Sequence, residues 1–154
     1  MNPKELARYG VVKVTTASPG QLLVMLYDAL FRFLREGAAA MEAKDRTKSN
    51  ERVSRSLAIL EQLMLGLKED VLPTLYEKLS PLYGFCMSHI TTGNLHQDPA
   101  KLTDVVRILS PLREAWAGAV AQMAREAAGA SAAPPASAEA TEATEATEAI
   151  ETRA

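Results

Sequence analysis

The chain has 154 residues, of which 47% are hydrophobic and only 5% aromatic, and its formal net charge is -2. This length is sufficient for one domain with a hydrophobic core, and the composition favours an all-helical protein over a β-sandwich or barrel. The chain lacks a concentrated basic stripe and an aromatic platform for stacking bases, so we do not expect it to bind nucleic acid.

Three features of the sequence bear on its cellular compartment. Residues 1–8 lack the apolar region of a secretory signal. No stretch approaches the ~18 consecutive apolar residues of a membrane-spanning helix. Cys86 is the only cysteine, so no internal disulfide can form. These features predict a cytosolic protein that does not insert into a membrane.

The first 17 residues are predicted to form an arm that precedes the long helices. Residues 2–9 can form one or two helical turns before Gly10, and residues 11–16 have the composition of a strand. A lone strand is not stable without a pairing partner. We therefore expect the arm to lie extended on the helices.

The first long helix is predicted from about residue 19 to residue 43. Ser18 is a good N-cap, Pro19 suits the first helical position, and Gln21 completes a capping box. Residues 22–27 are all apolar or aromatic, so they surround the helix axis instead of forming one stripe. Such a helix is either buried on every side or covered by a partner.

The second helix is predicted from about residue 47 to residue 68, and its apolar face falls into two sets at helical spacing. The first set is Ser56, Ile59, Leu63 and Leu67, and the second is Val53, Leu57, Leu60 and Met64. One set can face the bundle core, and the other widens the apolar surface beyond what a surface helix needs. The set that does not face the core is then available to a partner, with plain core packing as the alternative.

The third helix is predicted from about residue 74 to residue 92. Pro81 lies inside it, which predicts either a kink or a restart of the helix at Ser80 and Pro81. The pair Gly93 and Asn94 is predicted to end the helix.

The fourth helix is predicted from about residue 99 to residue 127, with Asp98 as its cap. An interior proline, Pro111, predicts a bend near Arg107. The predicted inner side consists of Leu102, Val105, Val106, Leu109, Leu112, Trp116, Val120 and Met123.

The last segment, residues 129–154, has a different composition and is predicted to be a disordered acidic tail. It contains five glutamates and one arginine, and its Ala-Thr-Glu repeat offers too little apolar surface to offset chain entropy. The predicted organisation is an arm over residues 1–17, a helical domain over residues 18–128, and this tail. The predicted fold class is all-α, an antiparallel four-helix bundle.

The sequence offers no convincing set of catalytic or metal-binding residues. Cys86 and His89 share a helix face, but His96 is the only other histidine and a metal site needs three or four ligands. Asp28 stands alone within an apolar run, and a solvated or hydrogen-bonded role fits it better than a catalytic one. We predict a protein that is not an enzyme and has no cofactor or metal.

Four groups of residues between positions 2 and 120 form an ordered set of motifs. They are Tyr9 with residues 15–19, Leu22 and residues 25–28; Asn50 with residues 59–60 and Leu63; residues 82–83 with residues 85–87; and residues 111–116. Each group is weakly informative by itself. Together and in this order, they resemble the flagellar secretion chaperone family, FliS.

The resemblance implies a cytoplasmic, non-enzymatic bundle that binds the disordered C-terminal segment of flagellin. Members of this family prevent early polymerisation of flagellin and deliver it to the flagellar type III export gate. The resemblance places an arm contact on Tyr9 and a groove contact on Val53, and it implies that the arm covers part of that groove in the free chaperone. Helical spacing alone adds four contacts, Met25, Leu57, Leu60 and Met64. The alternative function is a helical adaptor that binds an amphipathic segment of another cytoplasmic partner.

Overall fold

The computed structural model describes residues 3–4 and 16–132. Nearly all of these residues belong to four long helices, and the described residues include no strand. The helices are α1 (Pro19–Glu42), α2 (Arg46–Gly66), α3 (Pro73–His96) and α4 (Pro99–Ala132). The predicted all-α class is therefore confirmed, whereas most of the predicted arm and tail lies outside the described residues.

Helix α1 begins where the sequence predicts. The Gln21 backbone N–H donates to Ser18 Oγ at 3.2 Å, and the Ser18 N–H donates to Gln21 Oε1 at 2.8 Å. These two bonds satisfy backbone donors that have no partner inside the helix. Pro19 occupies the first turn, where its missing N–H costs nothing. The capping box is confirmed.

The short connections fix the directions of the helices. The connections 43–45, 67–72 and 97–98 join helices of at least 21 residues. A 21-residue helix is about 32 Å long, whereas six extended residues span at most about 21 Å. Successive helices must therefore run antiparallel. Helix α4 returns antiparallel to α1, as Asp28 pairs with Arg113 and Gly37 lies against Leu102.

The core contains side chains from all four helices. The largest fully buried ones include Tyr27, Leu30, Leu34, Leu60, Tyr83, Ile90, Leu102 and Leu109. At its centre, the hydroxyl groups of Tyr27 and Tyr83 hydrogen-bond to each other, which satisfies two polar groups that burial removes from water. This bond ties α1 to α3 across the bundle.

The buried seam of α2 combines residues from the two sets that the sequence separates. Its buried residues are Ser49, Val53, Ser56, Leu60 and Leu63. Their spacing alternates between four and three residues, which is typical of a helix packed lengthwise against antiparallel neighbours. The core face thus lies between the two predicted sets, and the prediction that one set alone faces the core is wrong.

Helix α3 continues past the predicted stop at Gly93 and ends at His96. A Cβ atom on Gly93 would lie 2.8 Å from Lys101 Cβ and 2.9 Å from Leu102 Cδ1. The glycine is therefore required by the close approach of α3 and α4, and it does not end the helix. The residue that caps the helix after His96 is Gln97, which adopts a left-handed backbone with φ 52°.

We expect Gly93→Ala to lower the free energy of unfolding by about 1–3 kcal/mol, because the added methyl group must displace Lys101 or Leu102. Gly84→Ala is the matched control on the same helix, since no atom lies within 4 Å of its Cβ position. The control is expected to stabilise the helix by up to about 1 kcal/mol. Urea unfolding measures both effects, and equal stability of the two variants would contradict this account of Gly93.

Both interior prolines lie within continuous helices. Pro81 lies inside α3 and Pro111 inside α4, and both side chains are exposed. Each proline leaves the carbonyl group four residues earlier without its helical donor. Those carbonyl groups belong to Glu77 and Arg107, which lie on the exposed face. The prediction that the helix restarts at Pro81 is therefore wrong. The predicted kink at Pro81 and the predicted bend near Arg107 stay predictions.

The chain divides into two units, Met1–Gly118 and Ala119–Ala154. In the second unit α4 continues to Ala132, five residues beyond the predicted end. Alanine is the best helix former, and it makes up much of this segment. Residues 121–131 are all exposed, so the prediction that Met123 faces the core is wrong.

Candidate partner-binding groove

The first unit contains an open apolar groove of about 400 Å³. It lies between the beginning of α1, the end of α2 and the 67–72 connection, with Trp116 of α4 at its edge. Its leucines are Leu22, Leu23, Leu26, Leu63, Leu67, Leu72 and Leu75. No charged side chain is among the described residues that line it. The apolar groove therefore favours an apolar occupant.

The floor of the apolar groove is aromatic and uncharged. Tyr83 lines it, and the Tyr83 hydroxyl group is bonded to that of Tyr27 beneath. Burial is the largest cause that raises the pKa of both phenols, so both stay neutral at physiological pH. The buried indole nitrogen of Trp116 lies close to the Tyr27 hydroxyl group without a well-aligned hydrogen bond. Tyr27 and Tyr83 are 0% and 1% exposed, so they support the groove from within the core and bring no charge to it.

The end of α2 and the 67–72 connection expose large apolar side chains to solvent. Leu65 is 72% exposed, Val71 is 62% exposed and Leu72 is 53% exposed. A second cleft of about 320 Å³ shares Leu72 and Leu75 with the groove and extends toward Lys78. Clustered exposed apolar residues mark interaction sites more often than isolated ones do. The apolar surface therefore continues along the 67–72 connection.

The local sequence explains why the bundle is open at this end. Helix α2 ends at Gly66, and no atom lies within 4 Å of the Cβ position of this residue. Leu72, the N-cap of α3, makes no side-chain capping bond. Residues 22–26 of α1 are all half-buried, so the bundle does not cover the apolar start of this helix completely. The surplus apolar surface predicted for α1 is therefore present.

The structure places the predicted partner contacts of α2 away from the apolar groove. Val53 and Leu60 are buried in the core, with 3% and 0% of their surface exposed. Leu57 and Met64 are half-buried and pack against that core. Tyr9 lies outside the described residues. A partner role for these residues stays a prediction.

Met25 occupies a separate position on α1. It lines a shallow cleft of about 280 Å³ together with Asp28, Ala29 and Arg32. The five described candidates thus do not form one site. The apolar groove was not predicted from the sequence, although the sequence contains its leucines near Ser18 and at residues 63–75. Helical spacing groups residues along one helix, whereas the groove combines the ends of several elements.

Asp28 has a structural partner. Its two carboxylate oxygens accept hydrogen bonds from Arg113 Nε at 2.9 Å and from Arg113 Nη2 at 3.1 Å. The hydrogen bond to Asp28 is the largest cause that raises the pKa of the Arg113 guanidinium. This two-point contact joins α1 to α4 and agrees with the predicted hydrogen-bonded role.

Cys86 and His89 do not form a metal site in the described part of the chain. His89 Nε2 lies 3.2 Å from Asp104 Oδ2, and Cys86 is fully buried. Residues 3–4 and 16–132 contain no group of three residues able to hold a metal ion. Within the same residues, no helix is long and apolar enough to cross a membrane.

We expect the Cys86 thiol to react very slowly in the folded protein. Burial raises the pKa of Cys86 to about 11, so only about one thiol in a thousand is ionised at pH 8. Folding favours the neutral Cys86 thiol, so the stabilisation that this thiol contributes is fully present below the ordinary thiol pKa. That stabilisation is lost as the pH rises through about 11. Labelling with Ellman's reagent, with and without urea, measures this. Rapid native labelling at pH 8 would contradict it.

The fold and the groove define a class of protein, namely a four-helix bundle with an open, uncharged groove. Residues 2–123 match the model of the family described as "Flagellar protein FliS". Flagellar secretion chaperone FliS of Bacillus subtilis is 27% identical over 75% of this chain and 86% of its own length. The Vibrio cholerae chaperone of the same name is 30% identical over 68% and 76%. This chain belongs to the FliS family of flagellar secretion chaperones.

A solved structure gives a consistent result for the fold. A crystal structure of a flagellar chaperone from bacteria superposes with a TM-score of 0.63, covering 77% of this chain and 97% of that chain. At 21% sequence identity, this similarity shows a shared fold. The family model and the curated relatives confirm the resemblance inferred from the motifs, and the named relatives are chaperones and not enzymes.

Proposed function

We propose that the protein is a cytosolic export chaperone that binds the disordered C-terminal segment of flagellin. It keeps flagellin from polymerising early and delivers it to the flagellar type III export gate. The apolar groove carries this proposal, because it is open, its described lining residues carry no charge, and most of them are leucines, of which Leu72 is 53% exposed. Membership of the FliS family supports flagellin over the unspecified partner of a general helical adaptor.

The physical basis of binding is the removal of apolar surface from water. All leucines of the groove except Leu63 are only partly covered in the free protein. An amphipathic helix can place its apolar face in such a groove. A disordered segment that becomes helical on binding loses conformational entropy, so the free energy gained from its apolar contacts must exceed the free energy lost on ordering. The net binding free energy is reduced by the same amount, which helps a chaperone to release its partner.

Calorimetry with the isolated C-terminal segment of flagellin tests the proposal. We expect a negative heat-capacity change that corresponds to about 1,000–3,000 Å² of buried surface, together with a gain in helical circular dichroism. A flagellin peptide with the same composition in scrambled order is the control. A dissociation constant above about 100 μM, which corresponds to a binding free energy weaker than about -5.5 kcal/mol, would exclude the proposed function.

A further inference from the structure

Helix α3 presents an uncharged face to solvent. Residues 79–97 contain no aspartate, glutamate, lysine or arginine, although 23% of the whole chain is charged. The outward positions of this stretch are exposed, and they are Pro81, Gly84, Phe85, Ser88, Thr91 and Leu95. We call these six residues the α3 face. A surface helix normally carries charged side chains on its outward face, whereas the cores of protein interfaces are depleted of charge. The α3 face therefore has the composition of an interface.

The α3 face also exposes two large apolar side chains. Phe85 is 52% exposed and Leu95 is 69% exposed. The Phe85 ring stacks on the His89 ring with their centres 5.3 Å apart, and His89 Nε2 lies 3.2 Å from Asp104 Oδ2 of α4. The Phe85 ring is thus held in place while about half of its surface faces water. Aromatic side chains of this kind are enriched in protein interfaces.

We propose that the α3 face binds the same face of a second copy of this chain, with the two α3 helices antiparallel and a two-fold axis at Ser88. In such an interface, each contact occurs twice with the roles of the two copies exchanged. An axis at Ser88 places Leu95 opposite Pro81 of the second copy and Phe85 opposite Thr91, because both pairs are centred on residue 88. Each large side chain therefore meets a smaller one. The two Ser88 hydroxyl groups meet at the axis, where one can donate a hydrogen bond to the other.

The chemistry of the α3 face favours a second copy over a charged partner. The face has no charge with which to recognise an acidic or basic surface, and two copies meet without repulsion between like charges. The Thr91 hydroxyl group donates to the Met87 carbonyl oxygen at 2.8 Å, so covering Thr91 leaves this hydroxyl group satisfied. The interface is only one helix wide and is smaller than the standard ~800 Å² per partner, so we expect a weak dimer.

The proposed dimer is independent of flagellin binding. The α3 face shares no residue with the described lining of the apolar groove. That groove lies beside the beginning of α3, at Leu72 and Leu75. Antiparallel pairing of the α3 helices therefore places the two grooves at opposite ends of the dimer, where both stay open.

Sedimentation equilibrium of the full chain tests the dimer. We expect a monomer–dimer equilibrium with a dissociation constant of about 100 μM. Ser88→Glu brings two carboxylates together at the axis and should weaken the dimer at least about tenfold. Ser54→Glu is the control, because Ser54 is an exposed serine of α2 outside the α3 face. A monomer at every concentration up to about 500 μM, or equal weakening in the control, would overturn the proposal.

Cross-linking through Ser88→Cys locates the axis. A residue on a two-fold axis lies next to its own copy, and a disulfide needs Cα atoms within about 7 Å of each other. We expect the thiol oxidant diamide to convert Ser88→Cys to a covalent dimer at least about tenfold faster than the control Ser54→Cys. The wild-type chain is the blank, since its single thiol at Cys86 is fully buried. Equal rates for the two variants would show that the copies do not meet at Ser88, which contradicts the proposal.

Discussion

Replacing Gly66 by phenylalanine is expected to abolish binding of the flagellin segment while the protein stays folded. Gly66 lines the apolar groove, and the space where its side chain would begin is empty to 4 Å. A phenyl ring placed there can occupy the groove of about 400 Å³ without displacing any core residue. We expect the affinity to fall at least about thirtyfold, which is the effect of losing one binding hot spot.

The control for this prediction is Gly84→Phe. Gly84 also has no atom within 4 Å of its Cβ position, but it does not line the groove. Both variants replace an exposed helical glycine, so both should unfold at a temperature equal to or above that of the wild type. Titration calorimetry and thermal unfolding measure the two effects. If both variants bind flagellin as the wild type does, the apolar groove is not the flagellin site.

Replacing Val53 by aspartate is expected to unfold the protein. Val53 is 3% exposed, and its Cγ2 atom lies 3.9 Å from the Cβ position of Gly37, where α1 and α2 are in close contact. A carboxylate at this position would be buried among the hydrophobic side chains of the core cluster. We expect a loss of at least about 3 kcal/mol, which is a large fraction of the stability of a domain of this size.

The result for Val53 distinguishes a core role from the partner contact that the sequence predicts. Ser54→Asp is the control, because the neighbouring position is exposed and should change stability by less than about 0.5 kcal/mol. Urea unfolding and flagellin binding should be measured on the same samples. A folded Val53→Asp variant that has lost only flagellin binding would assign Val53 to the partner surface and contradict the packing described above.

The positions of the helices were predictable because the signals that set them are local. Ser18 and Gln21 form a capping box within four successive residues that include Pro19, and Asp98 accepts a hydrogen bond from Ala100 at the start of α4. Neither feature depends on a neighbouring helix. The order of the motifs was also sufficient to identify the family, since it needs only the sequence.

Gly93 and the seam of α2 were not predictable, because both depend on a neighbouring element. Gly93 precedes a polar segment, and this pattern predicts a helix stop. In the structure, Lys101 and Leu102 of α4 lie so close to Gly93 that they leave no room for a side chain. Val53 belongs to a stripe that could face a partner or the core, and only the direction in which α1 approaches α2 decides between them. Helical spacing groups residues on a face but does not say what covers that face.

The sequence by itself determined the all-α class, the four helices, the caps that begin α1 and α4, and the family. It also showed that residues 22–27 of α1 carry more apolar surface than one stripe requires. Only the tertiary structure decided where that surface stays open. The apolar groove forms where the beginning of α1, the end of α2 at Gly66, the 67–72 connection and Trp116 come together. These elements are far apart in the chain, and the helix packing that brings them to one end of the bundle is a property of the folded structure.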